Sequence, residues 1–145
     1  MPPIPSLTPR LIVADADAAI GFYQSALGAR LVERYADGSG TVVHAALDLG
    51  GPILALAEPD PEGHNRAPGS LGGTPVILNL LVEDVDAMVA AFLAQGGEAV
   101  IPLADRFYGH REGRFRDPFG HLWILSAIVE ALTPAEIEAR MTGSG

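Results

Sequence analysis

The chain has 145 residues, 48% of them hydrophobic, with 18 acidic against 9 basic side chains and a pI near 4.7. That length suits one domain burying roughly 68–70% of its unfolded surface, and the acidic balance argues against nucleic acid, whose phosphates require clustered Lys and Arg. Cysteine is absent, which removes disulfide and thiolate chemistry and fits a cytoplasmic location. The opening "MPPIPSLTPR" lacks the basic stretch and apolar run of a secretory signal, and no apolar run reaches the roughly 18 residues of a membrane span.

In chain order, a strand over about residues 8–14 runs into Asp15, which can cap a helix by accepting backbone N–H bonds. That helix extends to about Leu27, with Ala19, Ile20, Tyr23 and Leu27 on one apolar stripe and Gly28 as its left-handed stop. "ARLVERY" and "TVVHAALDLGGPILALAE" have strand character. "EPDPEGHNRAPGSLGGTP" is rich in Pro and Gly and is expected to be a loop. A second strand over about 75–82 meets Asp84, the cap of a helix to about Gln95, with Val85, Met88, Val89 and Phe92 on its apolar stripe. "EAVIPL" and "GRFRDPFGHLWILSA" supply further strands, joined at a turn that Gly120 closes. In "TPAEIEAR", Thr133 as N-cap, Pro134 in the first turn and Glu136 form a capping box, predicting a short accessory helix over 133–141.

Sliding the chain against itself by 69 positions lays "LIVADADAAIGFYQSALG" on "LLVEDVDAMVAAFLAQGG". Leu11 meets Leu80, Val13 meets Val82, Asp15 meets Asp84, Asp17 meets Asp86, Ala18 meets Ala87 and Gly28 meets Gly97. The same offset carries Asp48 onto Asp117, Gly51 onto Gly120 and Leu56 onto Leu125. A constant offset over so long a span indicates an internal repeat of two βαβββ modules. The expected class is therefore α+β, with paired modules forming a curved mixed sheet around a cleft. One domain is expected, with modules at about 7–58 and 74–127 and a linker at 59–73.

Paired modules, "DADAAIGFYQSALGA" after the first strand and "RDPFGHLW" before the last resemble the vicinal oxygen chelate superfamily, which includes glyoxalase I, extradiol dioxygenases and bleomycin-resistance proteins. "NRAPGSLGGTP", "VEDVDA", "DRFYGHREG" and "RDPFGHLWIL" are similar to its PhnB-like branch. The resemblance covers about residues 7 to 127. It implies a homodimer, and in the metal-using members it implies a His in the first strand of each module and a carboxylate or His in the last. Carried onto this chain, those positions fall on Thr8, Ile77, Ala55 and Ile124. Three aliphatic side chains and one hydroxyl offer no site for Zn, Ni, Mn or Fe, and a shift of one residue in either direction offers none. No metal and no cofactor are therefore expected.

Strand alternation places Arg10, Ala55, Asn79 and Ile124 on the faces toward the cleft, with His44 as the one histidine on a strand. Phe107 and Tyr108 sit in a Gly-containing loop, where aromatics suit stacking on a planar ligand. Arg10, His44, Ala55, Asn79, Phe107, Tyr108 and Ile124 are the candidate ligand-binding residues, and no catalytic residue is assigned. Glu112, Arg114 and Arg116 share a face of "REGRFR" and are expected to form a solvated, salt-bridged strand face. Trp123 has the opposite parity to Ile124 and is expected in the core. The leading expectation is a metal-independent binding protein, rather than an enzyme, that sequesters a hydrophobic or aromatic ligand, cationic ones included, such as an antibiotic. The alternatives are a cofactor-free isomerase or lyase using His44, Tyr108 or a carboxylate, and a metal-dependent lyase or dioxygenase. Neither nucleic acid nor membrane is expected as a partner.

Overall fold

Both long helices begin at the aspartates that the repeat aligns. In the computed structural model, which describes residues 1–143, Asp15 Oδ1 accepts from the Ala18 amide at 3.0 Å and Asp84 Oδ1 from the Ala87 amide at 3.1 Å. Each bond satisfies an N–H that the helix itself cannot, worth about 1 kcal/mol. The chain separates into two compact units, the first made of Met1–Thr74 with Phe119–His121 and the second of Pro75–Pro118 with the residues from Leu122 onward.

The first unit runs β1 (Arg10–Ile12), α1 (Ala16–Leu27), β2 (Arg30–Ala36), β3 (Val42–Asp48), β4 (Ile53–Ala57) and α2 (Pro68–Leu71). Its sheet has the order β1-β4-β3-β2, with β1 parallel to β4 and the other pairs antiparallel. The second runs β5 (Ile77–Leu81), α3 (Val85–Ala94), β6 (Glu98–Asp105), β7 (His110–Arg116), β8 (Leu122–Ile128) and α4 (Pro134–Met141). Its sheet repeats the pattern as β5-β8-β7-β6. The fold is α+β, as expected, in two four-stranded mixed sheets.

Helical periodicity decides which residues each helix buries. Ala19, Ile20, Tyr23 and Leu27 of α1 are buried in the first unit, as are Leu11, Ala45, Leu47, Leu54 and Leu56 of its sheet. In the second unit Val85, Val89 and Phe92 of α3 are buried, as are Phe115, Trp123 and Leu125, and the rings of Phe92 and Phe115 lie 5.9 Å apart. Each large side chain so placed contributes about 1.5–3 kcal/mol of burial. Gly28 ends α1 at φ 68°, in the left-handed region where a side chain would be strained. Thr133 and Glu136 exchange both capping-box bonds at the start of α4.

Three expectations need correction. The Pro- and Gly-rich linker is not wholly loop, because Pro68 starts one turn of helix, α2, that Gly72 closes. The first strand is shorter than residues 8–14, so Thr8 precedes it. The unbroken offset of 69 holds only in part. It is kept between the first and last strands of each unit, where Arg10 pairs with Ala55 as Asn79 pairs with Ile124. It fails at the third strand of each unit, where Ala46 faces Ala55 but Arg114 faces Ile124, an offset of 114 − 46 = 68. Four residues separate β3 from β4 and five separate β7 from β8. The longer turn absorbs one residue, and Asp48 stands opposite the place of Arg116, not of Asp117.

Candidate functional site

Strand pairing in the second unit lines up one row across its sheet: Asn79, Ile124, Arg114 and Ile101 are successive cross-strand partners. Partners in register share a face, so these side chains project together. The Leu78, Trp123, Phe115 and Ala99 row has the opposite parity. Ile124, Arg114 and Ile101 of the first row border a cavity of about 220 Å³ that Arg106, Tyr108, Glu112 and Gly113 also line.

The polar groups of this cavity are unevenly satisfied. Tyr108 Oη donates to Glu112 Oε2. Burial first, and then that bond and the Glu112 charge, push the Tyr108 phenol above its usual range. Arg106 donates to the backbone carbonyls of Glu112 at 3.2 Å and Pro102 at 2.5 Å. His110, expected outside the strands, opens β7 and is a second strand histidine beside His44, with its Nδ1 2.7 Å from Ser126 Oγ and 3.7 Å from Glu112 Oε1. Arg114 Nε is buried without any acceptor among the described residues. Five of the nine basic residues pair with carboxylates. Arg106 and Arg114 are not among them, and both line this cavity.

The loop that carries Tyr108 is tied to the C-terminal segment. Gly109 O accepts from the amides of Val129 at 2.9 Å and Glu130 at 3.0 Å. Arg140 donates to Phe107 O at 2.9 Å and to both Glu130 carboxylate oxygens at 2.7 Å.

In the first unit, strand β3 brings His44 into a chain of polar contacts. Arg10 Nη1 donates to His44 Nδ1 at 3.0 Å, and Arg10 Nη2 to Val43 O at 2.7 Å. Because a guanidinium cannot accept, Nδ1 is the bare nitrogen and Nε2–H donates to Glu33 Oε1 at 3.0 Å. Glu33 also accepts from Tyr35 Oη at 2.8 Å, and the Tyr35 and His44 rings stack at 5.8 Å. The Tyr35 hydroxyl first, and then His44, hold the Glu33 carboxyl below its usual range. Every polar atom of His44 is thus engaged.

The residues singled out from the sequence fall into both units. Arg10 and His44 meet in the first, with Ala55 beside Arg10 in the ladder. In the second, Tyr108 and Ile124 line the cavity. Asn79 is exposed beside Ile124 and is not in the cavity wall, while Phe107 is exposed and packs edge-on against Tyr108 at 5.1 Å. Trp123 is buried, as expected, and its Nε1 donates to buried Asp117 at 2.9 Å. "REGRFR" is not a solvated face throughout. Only Arg116 fits that description, paired with Glu98 at 3.0 Å, whereas Glu112 and Arg114 turn into the cavity. Arg106, Glu112 and Arg114 were therefore missed. The signal was the extra residue in the second turn: an offset of 68 lays Glu112 on His44.

Metal chemistry in this fold needs donors that these positions do not supply. Ala55, Ile77 and Ile124 are aliphatic, Thr8 precedes its strand, and among the described residues no group of three or more His, Asp or Glu side chains is placed to hold a metal ion. The residues present do not fit the group. No helix among the described residues is long and apolar enough to cross a membrane.

Residues 5–125 match the Glyoxalase/Bleomycin resistance protein/Dioxygenase superfamily. An uncharacterized protein of Mycobacterium bovis is 40% identical over 97% of this chain and 95% of its own. The crystal structure of TioX from a Micromonospora species is similar at 31% identity and a TM-score of 0.65, over 88% of this chain and 99% of that one. FosX, a fosfomycin resistance protein from Listeria monocytogenes, shares the fold at 21% identity and a TM-score of 0.67, over 92% of this chain and 98% of its own.

Proposed function

The chain belongs to the Glyoxalase/Bleomycin resistance protein/Dioxygenase superfamily, and from that premise we propose that it is a metal-independent protein that binds a small, largely apolar molecule in the cavity of its second unit. The observation that carries this reading is the cavity wall itself, where Ile101 and Ile124 supply apolar surface, Arg114 supplies an unmatched donor, and Tyr108, Glu112 and Arg106 add polar groups held by their own hydrogen bonds. At about 220 Å³ the space is smaller than the roughly 300–1,000 Å³ of drug-sized pockets. It suits a compact molecule or one end of a larger one. Two guanidinium groups against one carboxylate speak against a cationic guest. The similarity of "VEDVDA" and "DRFYGHREG" to the PhnB-like branch supports membership of it, and a homodimer is proposed by analogy with that branch. Resistance through sequestration of an antibiotic is the role this reading favours, with the bleomycin resistance proteins named in the family's description as support.

Calorimetric titration with a panel of small aromatic and apolar natural products tests the proposal. Saturable binding to the untreated protein, unchanged by chelator and weakened by Ile124→Asp, is expected. Absence of binding across the panel overturns it, and stoichiometric transition metal in protein purified without chelator overturns its metal independence.

One observation favours a second reading, a cofactor-free isomerase or lyase. Tyr108 and Glu112 place an acid beside a base on the cavity wall. A ligand found by titration that is converted by the wild type, and bound but not converted by Tyr108→Phe, would establish it.

A further inference from the structure

We infer that the molecule held in this cavity carries a carboxylate, and that Arg114 is the residue that recognises it. The inference rests on the binding reading above and deepens it. Arg114 sits at the centre of the cross-strand row, between Ile124 and Ile101, so its stem lies along apolar surface. Its Nε is buried with no acceptor among the described residues, and no carboxylate side chain pairs with its guanidinium. A buried donor left unmatched costs stability, and a charged one costs more. Such a group persists where an acceptor arrives from elsewhere.

The chemistry of the acceptor follows from the surrounding charges. Arg106 is spent on two carbonyl oxygens and adds a second positive charge without a carboxylate partner. Glu112 is the one carboxylate in the wall, and Tyr108 donates to it. Its charge offsets one guanidinium, so the wall carries one net positive charge in a chain whose net charge is −9. A monoanion balances that charge where a dianion would exceed it. The planar fork of an arginine matches the two oxygens of a carboxylate, and Ile101 and Ile124 then face its apolar remainder.

Matched carboxylate and carboxamide probes separate charge from shape: benzoate and benzamide, cinnamate and cinnamamide, 1-naphthoate and 1-naphthamide. Calorimetric titration of the wild type should show a carboxylate bound more tightly than its amide. In Arg114→Met that preference should fall about ten- to a hundredfold, the span of a lost charged hydrogen bond, the carboxylate losing far more affinity than its amide. Arg114→Met should also melt at a higher temperature than the wild type, because it removes an unmatched buried charge, whereas an arginine kept for structure would melt lower when lost. Glu112→Gln should bind the carboxylate several-fold more tightly, a larger change than for the amide.

Amides bound as well as carboxylates, or a preference that survives in Arg114→Met, would overturn the carboxylate assignment while leaving the binding reading intact. Phenyl phosphate bound more tightly than all three carboxylates would overturn it in favour of a dianion. If neither these six probes nor the natural-product panel binds, both readings fall together.

Discussion

Glycine at position 113 is set by its neighbours in the core rather than by the backbone. A Cβ there would stand 2.7 Å from the Phe115 ring and 2.8 Å from Ile101 O. Gly113→Ala must displace the β6–β7 pairing or the aromatic pair with Phe92, and is expected to cost about 1–3 kcal/mol, as overpacking does. Urea unfolding followed by far-ultraviolet circular dichroism measures it, and an unchanged midpoint would show that the ring gives way freely. Trp123 supplies a second case. Its indole donates to Asp117, which is buried beneath the turn, so Trp123→Phe takes a donor from a buried carboxylate at about 1–3 kcal/mol. Strand parity alone placed Trp123 in the core and Ile124 on the opposite face. Parity also put Glu112 and Arg114 on one face, yet their environment was not legible. What encloses them is Tyr108 and Arg106 from the loop before their strand, and no periodicity records where a loop folds.

At the scale of elements, the repeat preserves the acidic half of a device for docking each helix on its sheet, while the arginine comes from strands that are not equivalent, β2 in the first unit and β7 in the second. Asp17 in the first turn of α1 accepts from Arg34 of β2 at 2.7 Å and 2.9 Å, and Asp86 in the first turn of α3 accepts from Arg111 of β7 at 2.9 Å. Hydrogen bonds from Arg34 and Arg111 hold these carboxyls below their ordinary value of 3.8. A depressed carboxylate contributes stability that is present above its unfolded pKa and lost as pH falls through the folded one. The double variant Asp17→Asn, Asp86→Asn should therefore lose stability at neutral pH and show a shallower decline below 3.8. Both pairs are exposed, so the effect should be small and weaken further in salt. The caps, the helices and the outer strand pairs were legible because each is a local signal repeated at 69 residues. The contacts of α4 were not. Arg140 reaches Phe107 O across the sequence, and only the fold brings them together. Arg140→Ala should speed amide hydrogen exchange in residues 106–110 and weaken ligand binding, while exchange in α1 stays unchanged. Equal protection in both proteins would show that the backbone bonds of Gly109 suffice.

For the whole molecule, the two sheets share one economy: each buries side chains of its inner strands and leaves an antiparallel edge strand open. β2 and β6 are exposed along nearly their whole length on both faces. Leu81, Val100, Ile128 and Val129 of the second unit are 60%, 41%, 57% and 56% exposed, as are Val32, Tyr35 and Val43 of the first at 49%, 54% and 44%. Scattered exposed apolar residues are ordinary, and these lie on several strands, Leu81 on β5 and Val100 on β6 at opposite edges of their sheet, so only a covering partner would make an interface of them. The net charge of −9 keeps such a chain dispersed, so association must be specific enough to overcome repulsion. The homodimer proposed by analogy would use some of these strands as its interface. Sedimentation velocity should then show a dimer whose weight-average mass holds over a wide range of protein concentration. Leu81→Glu combined with Val100→Glu should release monomer with an unchanged circular dichroism spectrum, because neither side chain is in a core. Salt should strengthen the wild-type dimer by screening the excess negative charge. A wild type that sediments as a monomer at every concentration would refute the dimer.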